Sequence, residues 1–215
     1  MEIPYFENVC ISEVGIDIRS LMEDPWSGMI YLDDFDWTGM PNYATRLGEL
    51  KDNGKTVTGW TAYYGYWRID GGYCGSGPNF NESYTGDIDW QDYKLTVDMQ
   101  PVLGGQHLVN LRVQGGLHSY ALGFVGRNEI GILKKVGGDY EPVVAQPFEW
   151  VLGQFYQLGA QAKGTELSIM VDGQLLLTWN DDSGPYLQGQ VGFGNGPGSH
   201  TRFTTFRIEP VDQSS

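Results

Sequence analysis

The sequence predicts an all-β fold: a two-sheet antiparallel β-sandwich of the jelly-roll type, with almost no helix. Short segments in which apolar and polar residues alternate recur along the chain, and turn signals separate them about every 8–12 residues. None of the gaps between these segments holds a convincing helix, which excludes alternating β-α-β units. The glycine and proline content, 31 and 10 of 215 residues, fits many short strands joined by turns.

The clearest element is a hairpin within residues 166–179. Its apolar positions lie two apart along each strand, as a half-buried strand requires: Leu167, Ile169, Val171, Leu175, Leu177 and Trp179. Asp172-Gly173 between the two strands supplies a tight turn, because both residues tolerate a positive φ. A polar loop over residues 181–185 and a short strand over 189–193 follow, which indicates an antiparallel meander.

Further strands are predicted on both sides of this hairpin. They cover residues 67–73, 95–99, 107–114, 119–125, 129–135, 155–162 and 201–208. We assign residues 56–210 to the sandwich, and residues 1–55 to N-terminal strands and a polar connection. The N-terminal strands are expected to pack on the sandwich, because burying each apolar side chain such as Ile16 or Ile30 is worth about 1.5–3 kcal/mol.

The charge balance limits the partners of the chain. With 13 Lys+Arg against 27 Asp+Glu, the formal net charge is −14. A nucleic-acid binder needs a basic surface that releases counterions, so this balance argues against nucleic acid, and also against anionic membranes. It permits neutral ligands such as sugars and cations such as Ca²⁺, although solubility alone also explains an acidic surface.

Membrane insertion, location and redox state are only partly constrained. No apolar run approaches the roughly 18 residues that a membrane-spanning helix needs. The location stays open, with extracellular and periplasmic sites among the alternatives. Cys10 and Cys74 could form one disulfide or remain two buried thiols, and they are too few for a structural zinc site by themselves.

An aromatic cluster is the first candidate for ligand binding. It comprises Trp60, Tyr63, Tyr64, Tyr66 and Trp67. Flat rings stack on the C–H faces of sugars, and Trp and Tyr add a polar group to the stacking surface. Aromatic residues of strands are also commonly core residues, and this alternative weighs most on Trp67. We therefore take Trp60 and Tyr64 as candidate ligand-binding residues.

A polar stripe is predicted on the strand over residues 107–114. With a period of two, Asn110, Arg112 and Gln114 share one face of this strand, while the apolar residues between them face the core. Arg offers a planar fork of donors that suits paired hydroxyls or a carboxylate. Tyr120 on the next strand is expected close to Arg112. These four residues are predicted to line a ligand face on which Arg112 is solvated; the alternative is a solvated face with a salt bridge.

The acidic clusters are candidates for catalysis or for calcium binding. They are Asp33-Asp34-Phe35-Asp36, Asp87-Ile88-Asp89 and Asp181-Asp182. Paired carboxylates roughly 5–10 Å apart can cleave a glycosidic bond, and their oxygens can also bind Ca²⁺. Asp-rich turns are, however, most often only turns. No nucleophile elbow, P-loop or zinc-protease motif occurs, and His107, His118 and His200 are expected on the surface.

The order of several short motifs resembles a known superfamily. The motifs are Trp67-Arg68-Ile69-Asp70-Gly71-Gly72, Tyr84-Thr85-Gly86, Trp90-Gln91-Asp92-Tyr93, Leu111-Arg112 with Tyr120-Ala121-Leu122, and the stretch from the VDG turn to GQVGFG. Together they are similar to concanavalin A-like lectin/glucanase jelly rolls, which include laminin-G-like domains, carbohydrate-binding modules and the domain of 3-keto-glycoside hydrolases. The β-domain appended to ADP-ribosylglycohydrolase-like proteins is similar too, and the N-terminal part resembles the tail of a galactose-binding-like domain.

This resemblance implies a non-catalytic carbohydrate-binding module from a longer multidomain protein, with a neutral glycan on an aromatic and polar sheet face. In similar sugar-binding domains an Arg and an aromatic residue line the concave face, which implies such roles for Arg112 and Tyr120, and the polar loop adds Asp182. One alternative is a glycoside-cleaving enzyme of the concanavalin A-like or 3-keto-glycoside hydrolase type, with carboxylates among Asp87, Asp89, Asp181 and Asp182 and with His107. The Glu-x-Asp-x-x-Glu strand of laminarinase-type hydrolases is missing, which weakens that alternative. A structural or interdomain module without a ligand is the third hypothesis.

Overall fold

A computed structural model describes residues 61–69 and 73–211, and these residues form fourteen β-strands and no helix. The strands are β1 (Thr61–Tyr64), β2 (Tyr66–Ile69), β3 (Tyr73–Ser76), β4 (Asn81–Thr85), β5 (Tyr93–Leu103), β6 (His107–Gln114), β7 (His118–Gly126), β8 (Glu129–Val136), β9 (Asp139–Pro147), β10 (Tyr156–Lys163), β11 (Glu166–Val171), β12 (Gln174–Asn180), β13 (Gln190–Asn195) and β14 (His200–Pro210). Within these ranges the chain has no helix long and apolar enough to cross a membrane.

The strands form two antiparallel sheets of seven strands each, which confirms the predicted sandwich. Sheet A has the order β1-β4-β13-β6-β7-β8-β9, and sheet B has the order β12-β11-β10-β5-β14-β3-β2. The hairpin predicted within residues 166–179 is confirmed as β11 and β12. Its turn residues Asp172 and Gly173 both have the positive φ that the tight turn requires, 50° and 80°. The predicted N-terminal strands, Cys10 and Trp60 lie outside the described residues.

Two parts of the sequence prediction differ from the structure. The single strand predicted over residues 67–73 is wrong, because the segment belongs to two strands, β2 and β3, that pair with each other. β1, β4 and β9 were not predicted. β4 has the polar sequence NESYT although all five of its residues are buried. β9 contains two prolines, which weaken a strand signal in the sequence but which an edge strand such as this one tolerates.

The hydrophobic core lies between the two sheets. Inward-facing residues of most strands supply it, for example Val109 and Leu111 of β6 in sheet A and Leu95 of β5 in sheet B. Phe193 of β13 stacks on Phe203 of β14 across the two sheets, with ring centroids 4.0 Å apart and planes 7° apart. The outward face of sheet A is therefore the face that carries Leu108 and Asn110, the residues that alternate with the core positions.

His107 belongs to this core, so the expectation that it lies on the surface is wrong. The residue is fully buried, its Nδ1 lies 2.7 Å from Thr201 Oγ1, and its ring meets the Trp150 ring edge-on at 5.0 Å. Burial lowers the pKa of His107 to about 4. The imidazole is therefore neutral in the folded protein near neutral pH.

This burial predicts an acid-sensitive stability. Between pH 6.5 and pH 4 the unfolded chain protonates His107 while the folded chain does not, so the free energy of unfolding should fall by up to about 3 kcal/mol as the pH decreases through that window. Urea unfolding at several pH values measures the effect. His107→Gln should flatten the dependence in this window, whereas the control His118→Gln should leave it intact. Equal slopes for the wild type and His107→Gln would contradict the prediction.

Candidate functional site

The outward face of sheet A is curved into a trough. Lys135 of β8 donates from Nζ to Glu82 Oε2 of β4 at 2.6 Å. Three strands, β13, β6 and β7, lie between β4 and β8. On a flat sheet these strands would set the two backbones roughly 19 Å apart, a distance that a Lys and a Glu side chain cannot span. The sheet must therefore curl so that its outer strands approach each other over the central ones.

A polar cluster fills the middle of this trough. It consists of Glu82, Tyr84, Asn110, Ser119, Lys135 and Tyr140, all of which the structure buries wholly or partly. Tyr140 OH donates to Glu82 Oε1, and Asn110 Nδ2 donates to Tyr140 OH at 2.7 Å. Lys135 Nζ also lies 5.0 Å from the centroid of the Tyr140 ring. Glu82 is thus held by an ammonium group and a phenol at the same time, and its charge is balanced by Lys135.

Several polar atoms of the cluster are buried without a hydrogen bond. They are Asn110 Oδ1, Ser119 Oγ and Tyr84 OH. Burial is the main cause that raises the pKa of both Tyr84 and Tyr140, and the nearby Glu82 carboxylate raises it further. Both phenols therefore stay protonated and can donate. Because buried polar atoms are normally paired, three unpaired atoms in one place need an explanation, and a group bound between them is one.

Two glycines of β13 make room for the cluster. A Cβ at Gly194 would lie 2.7 Å from Asn110 Oδ1, and a Cβ at Gly192 would lie 2.3 Å from the Tyr84 ring. Any side chain at either position would displace the cluster. The GQVGFG stretch that the sequence marked as a strand is thus the floor of the trough.

Tyrosines form one rim of the trough. Tyr63 of β1 donates from its hydroxyl to Gly115 O at 2.8 Å, and its ring lies 5.6 Å from that of Tyr84. Tyr64 is 53% exposed, and its ring centroid lies 5.8 Å from Lys135 Nζ. On the other side of the cluster the trough floor is apolar, with Leu108, Ala121 and Leu133 packed against Phe80 and Tyr140. An exposed ring beside a polar cluster is the arrangement that sugar stacking requires.

The structure brings only some of the sequence-predicted residues to this trough. Asn110 is in the cluster and Tyr64 is on its rim, while Trp60 lies outside the described residues. Gln114 donates from Nε2 to Gln188 O at 2.9 Å, away from the cluster. Ligand binding by each of these residues stays a prediction.

Arg112 does not lie on a solvated face, and this part of the prediction is wrong. Its φ of 51° interrupts the alternation of β6, so Arg112 no longer shares a face with Asn110. The side chain is 1% exposed, and its guanidinium group donates to protein acceptors only: the carbonyl oxygens of Gln91, Gly164 and Tyr186 and the carboxylate of Asp92. Burial lowers the pKa of Arg112, while Tyr93 and Asp92 partly offset that effect. Through these hydrogen bonds Arg112 of sheet A connects with the turn between β10 and β11 of sheet B and with two loops at one end of the sandwich.

Tyr120 also lies at this end of the sandwich and not in the trough. Its hydroxyl donates to Asp181 Oδ2 at 2.5 Å, and Lys134 Nζ binds the same oxygen at 2.5 Å. Burial alone would raise the pKa of Asp181, but the hydrogen bonds from Lys134, Tyr120 and the backbone of Ser183 outweigh it, so the pKa is lowered. Asp182 is exposed beside this group. Tyr120 lies close to Arg112 as predicted, since Tyr186 accepts from Arg112 and donates its backbone N–H to the Tyr120 hydroxyl. Both side chains are buried in the interior, so the predicted open ligand face is wrong.

The alternative catalytic set is not assembled in one place. Asp181 is bound by Tyr120 and Lys134, Asp87 accepts from the backbone of Asp89 within its own turn, and His107 is buried at the start of β6. Among residues 61–69 and 73–211, no group of three or more His, Cys, Asp or Glu side chains could hold a metal ion. Calcium binding stays a prediction.

Sequence reasoning missed Glu82, Lys135 and Tyr140, the centre of the cluster. Asn81-Glu82-Ser83 has the form of a glycosylation sequon, but Asn81 is buried inside β4. The available signal was the polar strand itself: Glu82 and Tyr84 alternate with Ser83 next to two glycines of β13. The contacts from Lys135 and Tyr140 depend on the curvature of the sheet, which sequence periodicity does not show.

The sandwich and its trough define a class: a concanavalin A-like jelly roll with a polar concave face. Residues 49–209 match the 3-keto-alpha-glucoside-1,2-lyase-like domain, and the chain belongs to this family. A search of curated proteins found no significant match.

Solved structures support the same fold. The carbohydrate-binding module CBM66 from Bacillus subtilis has a TM-score of 0.65 at 18% identity, over 72% of this chain and 97% of that chain. A Bacillus subtilis protein of unknown function with a galectin-like fold has a TM-score of 0.56 at 14% identity, over 72% and 90%. A prokaryotic β-1,3-1,4-glucanase (lichenase) from a mouse hindgut metagenome has 0.53 at 12% identity, over 71% and 93%.

Proposed function

We propose that the chain binds a neutral saccharide in the trough of sheet A. The observation that carries this proposal is the set of unpaired buried polar atoms, Asn110 Oδ1, Ser119 Oγ and Tyr84 OH, beside the exposed ring of Tyr64. Sugar hydroxyl groups donate and accept, so one ring can pair with an amide oxygen and two hydroxyls at once. The CBM66 and lichenase neighbours support a saccharide as the ligand class.

The charges of the cluster favour a ligand without charge. Lys135 is the cation of the cluster, and its charge is already balanced by Glu82 at 2.6 Å. An acidic sugar would place a second carboxylate next to Glu82 and next to the acceptor oxygen of Asn110, which is unfavourable in a buried site. A neutral sugar requires no such rearrangement of charge. We further propose that the domain acts within a longer multidomain protein.

Tyr64→Ala should weaken saccharide binding about tenfold while leaving the fold intact. Tyr64 is half exposed, so its ring contributes a stacking surface, and truncation of an aromatic hot-spot residue costs more than about 1 kcal/mol. A glycan array of neutral and uronic-acid saccharides identifies a ligand, and calorimetric titration of the best neutral glycan measures the change. Thermal melting checks that the variant is folded.

The matched control is Tyr66→Ala. Tyr66 is 71% exposed but belongs to β2 of sheet B, so its removal should leave affinity unchanged. Equal losses in both variants would indicate an unspecific effect. Absence of binding to any neutral glycan on the array would remove the proposal.

A second candidate function is cleavage of a 3-keto-glucoside by elimination. The matched family carries this activity in its name, and the cluster holds a carboxylate beside an ammonium group and a phenol. Such an elimination needs a base for the proton on C2, which the neighbouring C3 carbonyl acidifies, and an acid for the oxygen that leaves C1. Glu82 would accept the C2 proton, the electron pair would form the C1–C2 double bond as the C1–O bond breaks, and Tyr140 or Lys135 would protonate the leaving oxygen.

Release of nitrophenol from a p-nitrophenyl 3-keto-α-glucoside tests this second function. We expect Glu82→Gln to abolish any release, while Asp181→Asn, which removes a carboxylate outside the trough, leaves it unchanged. Binding of neutral glycans with no release from the keto substrate would favour the first function. Release that persists in Glu82→Gln would exclude Glu82 as the base.

A further inference from the structure

The polar atoms that the proposed saccharide must reach are closed off in this structure. Glu82 and Asn110 are fully buried, and so is Ser119, although all three lie on the outward face of a sheet. Part of their cover comes from two side chains at the far side of the trough. Lys135 and Tyr140 reach across to Glu82 and bind one carboxylate oxygen each. We call these two contacts the bridge.

We propose that the bridge is a gate, and that it must open before a saccharide can reach the floor of the trough. The inference rests on the proposed function for its ligand, but not for its test. In the closed state described here, Asn110 Nδ2 binds the Tyr140 hydroxyl while Asn110 Oδ1 stays unpaired. Opening would exchange the hydrogen bonds of the bridge for hydrogen bonds to sugar hydroxyls, and would pair the remaining atoms as well.

The construction of the bridge suits reversible opening. Both of its hydrogen bonds to Glu82 come from side chains of β8 and β9, and Lys135 has a flexible four-carbon stem. Tyr140 belongs to β9, the edge strand of sheet A. The ion pair at the other end of the sandwich is built differently. There Asp181 is bound by Lys134 and Tyr120 and also accepts from the backbone N–H of Ser183, so a loop holds it in place.

A gate of this kind determines what fraction of the free protein molecules can bind a ligand. The apparent dissociation constant is the intrinsic one divided by the open fraction, so a mostly closed bridge weakens binding without removing any contact. Changing the stability of the bridge would therefore tune affinity while the floor residues stay the same.

The adjacent residues Lys134 and Lys135 allow a test without any saccharide. Acetic anhydride acetylates exposed amines in the folded, full-length chain. Tandem mass spectrometry then measures the acetylation of Lys134 and of Lys135 separately. In the wild type we expect Lys135 to react at least tenfold more slowly than the half-buried Lys94. Glu82→Gln should raise the acetylation rate of Lys135 at least tenfold and leave Lys134 protected, because only the bridge is broken.

Asp181→Asn is the matched control, since it breaks the other ion pair and lowers global stability. It should accelerate Lys134 and leave Lys135 unchanged. Acceleration of both lysines together in Asp181→Asn would show that Lys135 is reached only by global unfolding, and would overturn the gate. A wild-type Lys135 that reacts as fast as Lys94, or a Glu82→Gln rate equal to that of the wild type, would also overturn it. If the acetylation rates are as expected but no glycan on the array binds, the saccharide is rejected as the ligand while the gate formed by the bridge stands.

Discussion

Arg112→Ala should lower the free energy of unfolding by about 3–5 kcal/mol, the range for breaking one partner of a buried ion pair. The substitution leaves the Asp92 carboxylate without its nearby cation, and it leaves three carbonyl oxygens, those of Gln91, Gly164 and Tyr186, without their donors. Each unsatisfied buried acceptor adds to the cost. Denaturant unfolding at neutral pH measures the loss.

Two further variants make this result specific. Arg207→Ala removes an exposed arginine whose pair with Glu209 is open to solvent, and it should change the free energy of unfolding by less than about 0.5 kcal/mol. Arg112→Lys should recover only part of the loss, because an ammonium group cannot serve acceptors in the directions that a guanidinium fork reaches. A loss below about 1 kcal/mol in Arg112→Ala would show that Arg112 is not a structural clamp.

Lys135→Met should also destabilise the fold by about 3–5 kcal/mol, because it leaves the Glu82 carboxylate buried without its cation. The double variant Glu82→Leu with Lys135→Met should recover at least half of that loss, since apolar side chains of similar volume often replace a buried ion pair at little cost. Denaturant unfolding of the two single variants and the double variant gives the coupling energy.

The double variant is also a test of what the pair is for. A fold that regains stability but does not bind the neutral glycan would mean that the pair serves the ligand. If the double variant were no more stable than Lys135→Met, the pair would be a structural requirement of the trough. Additive losses in the double-mutant cycle would contradict the direct contact between the two side chains.

The sequence was sufficient for the architecture because the strands of the core alternate clearly. Leu167, Ile169 and Val171 form one buried face, and Asp172-Gly173 specifies the turn that follows. On the return strand Leu177 and Trp179 face the core as predicted, whereas Leu175 is 59% exposed, because the pairing of the two strands shifts register near the turn. β4 escaped the same reasoning because its outward face is polar and yet buried. Its burial comes from Lys135 and Tyr140, which are more than fifty residues away in the chain, so no local pattern indicates it.

The candidate site was predictable only where local alternation holds. Asn110 obeys the period of two and lies on the predicted outward face, whereas Arg112 has a positive φ that no pattern of residue types around it requires. That single backbone angle turns Arg112 from the sheet face toward the end of the sandwich. The sequence indicated that Arg112 has polar partners, but it placed them on the outward face of the sheet, whereas they lie at the end of the sandwich.

The two neighbouring lysines of β8 have a consequence for how the chain avoids misfolding. Lys134 neutralises Asp181 on the inward side, and Lys135 neutralises Glu82 on the outward side. If β8 slipped by one residue against its neighbours, every side chain would move to the opposite face. A slip in one direction would place Lys134 beside Glu82 and Leu133 beside Asp181, and a slip in the other direction would place Lys135 beside Asp181 and Val136 beside Glu82. One carboxylate would lose its cation in either case, and apolar residues such as Ile132 would leave the core. A shifted register is thus penalised by one carboxylate without its cation and by apolar side chains outside the core, a form of selection against wrong strand pairing that works before any ligand is present.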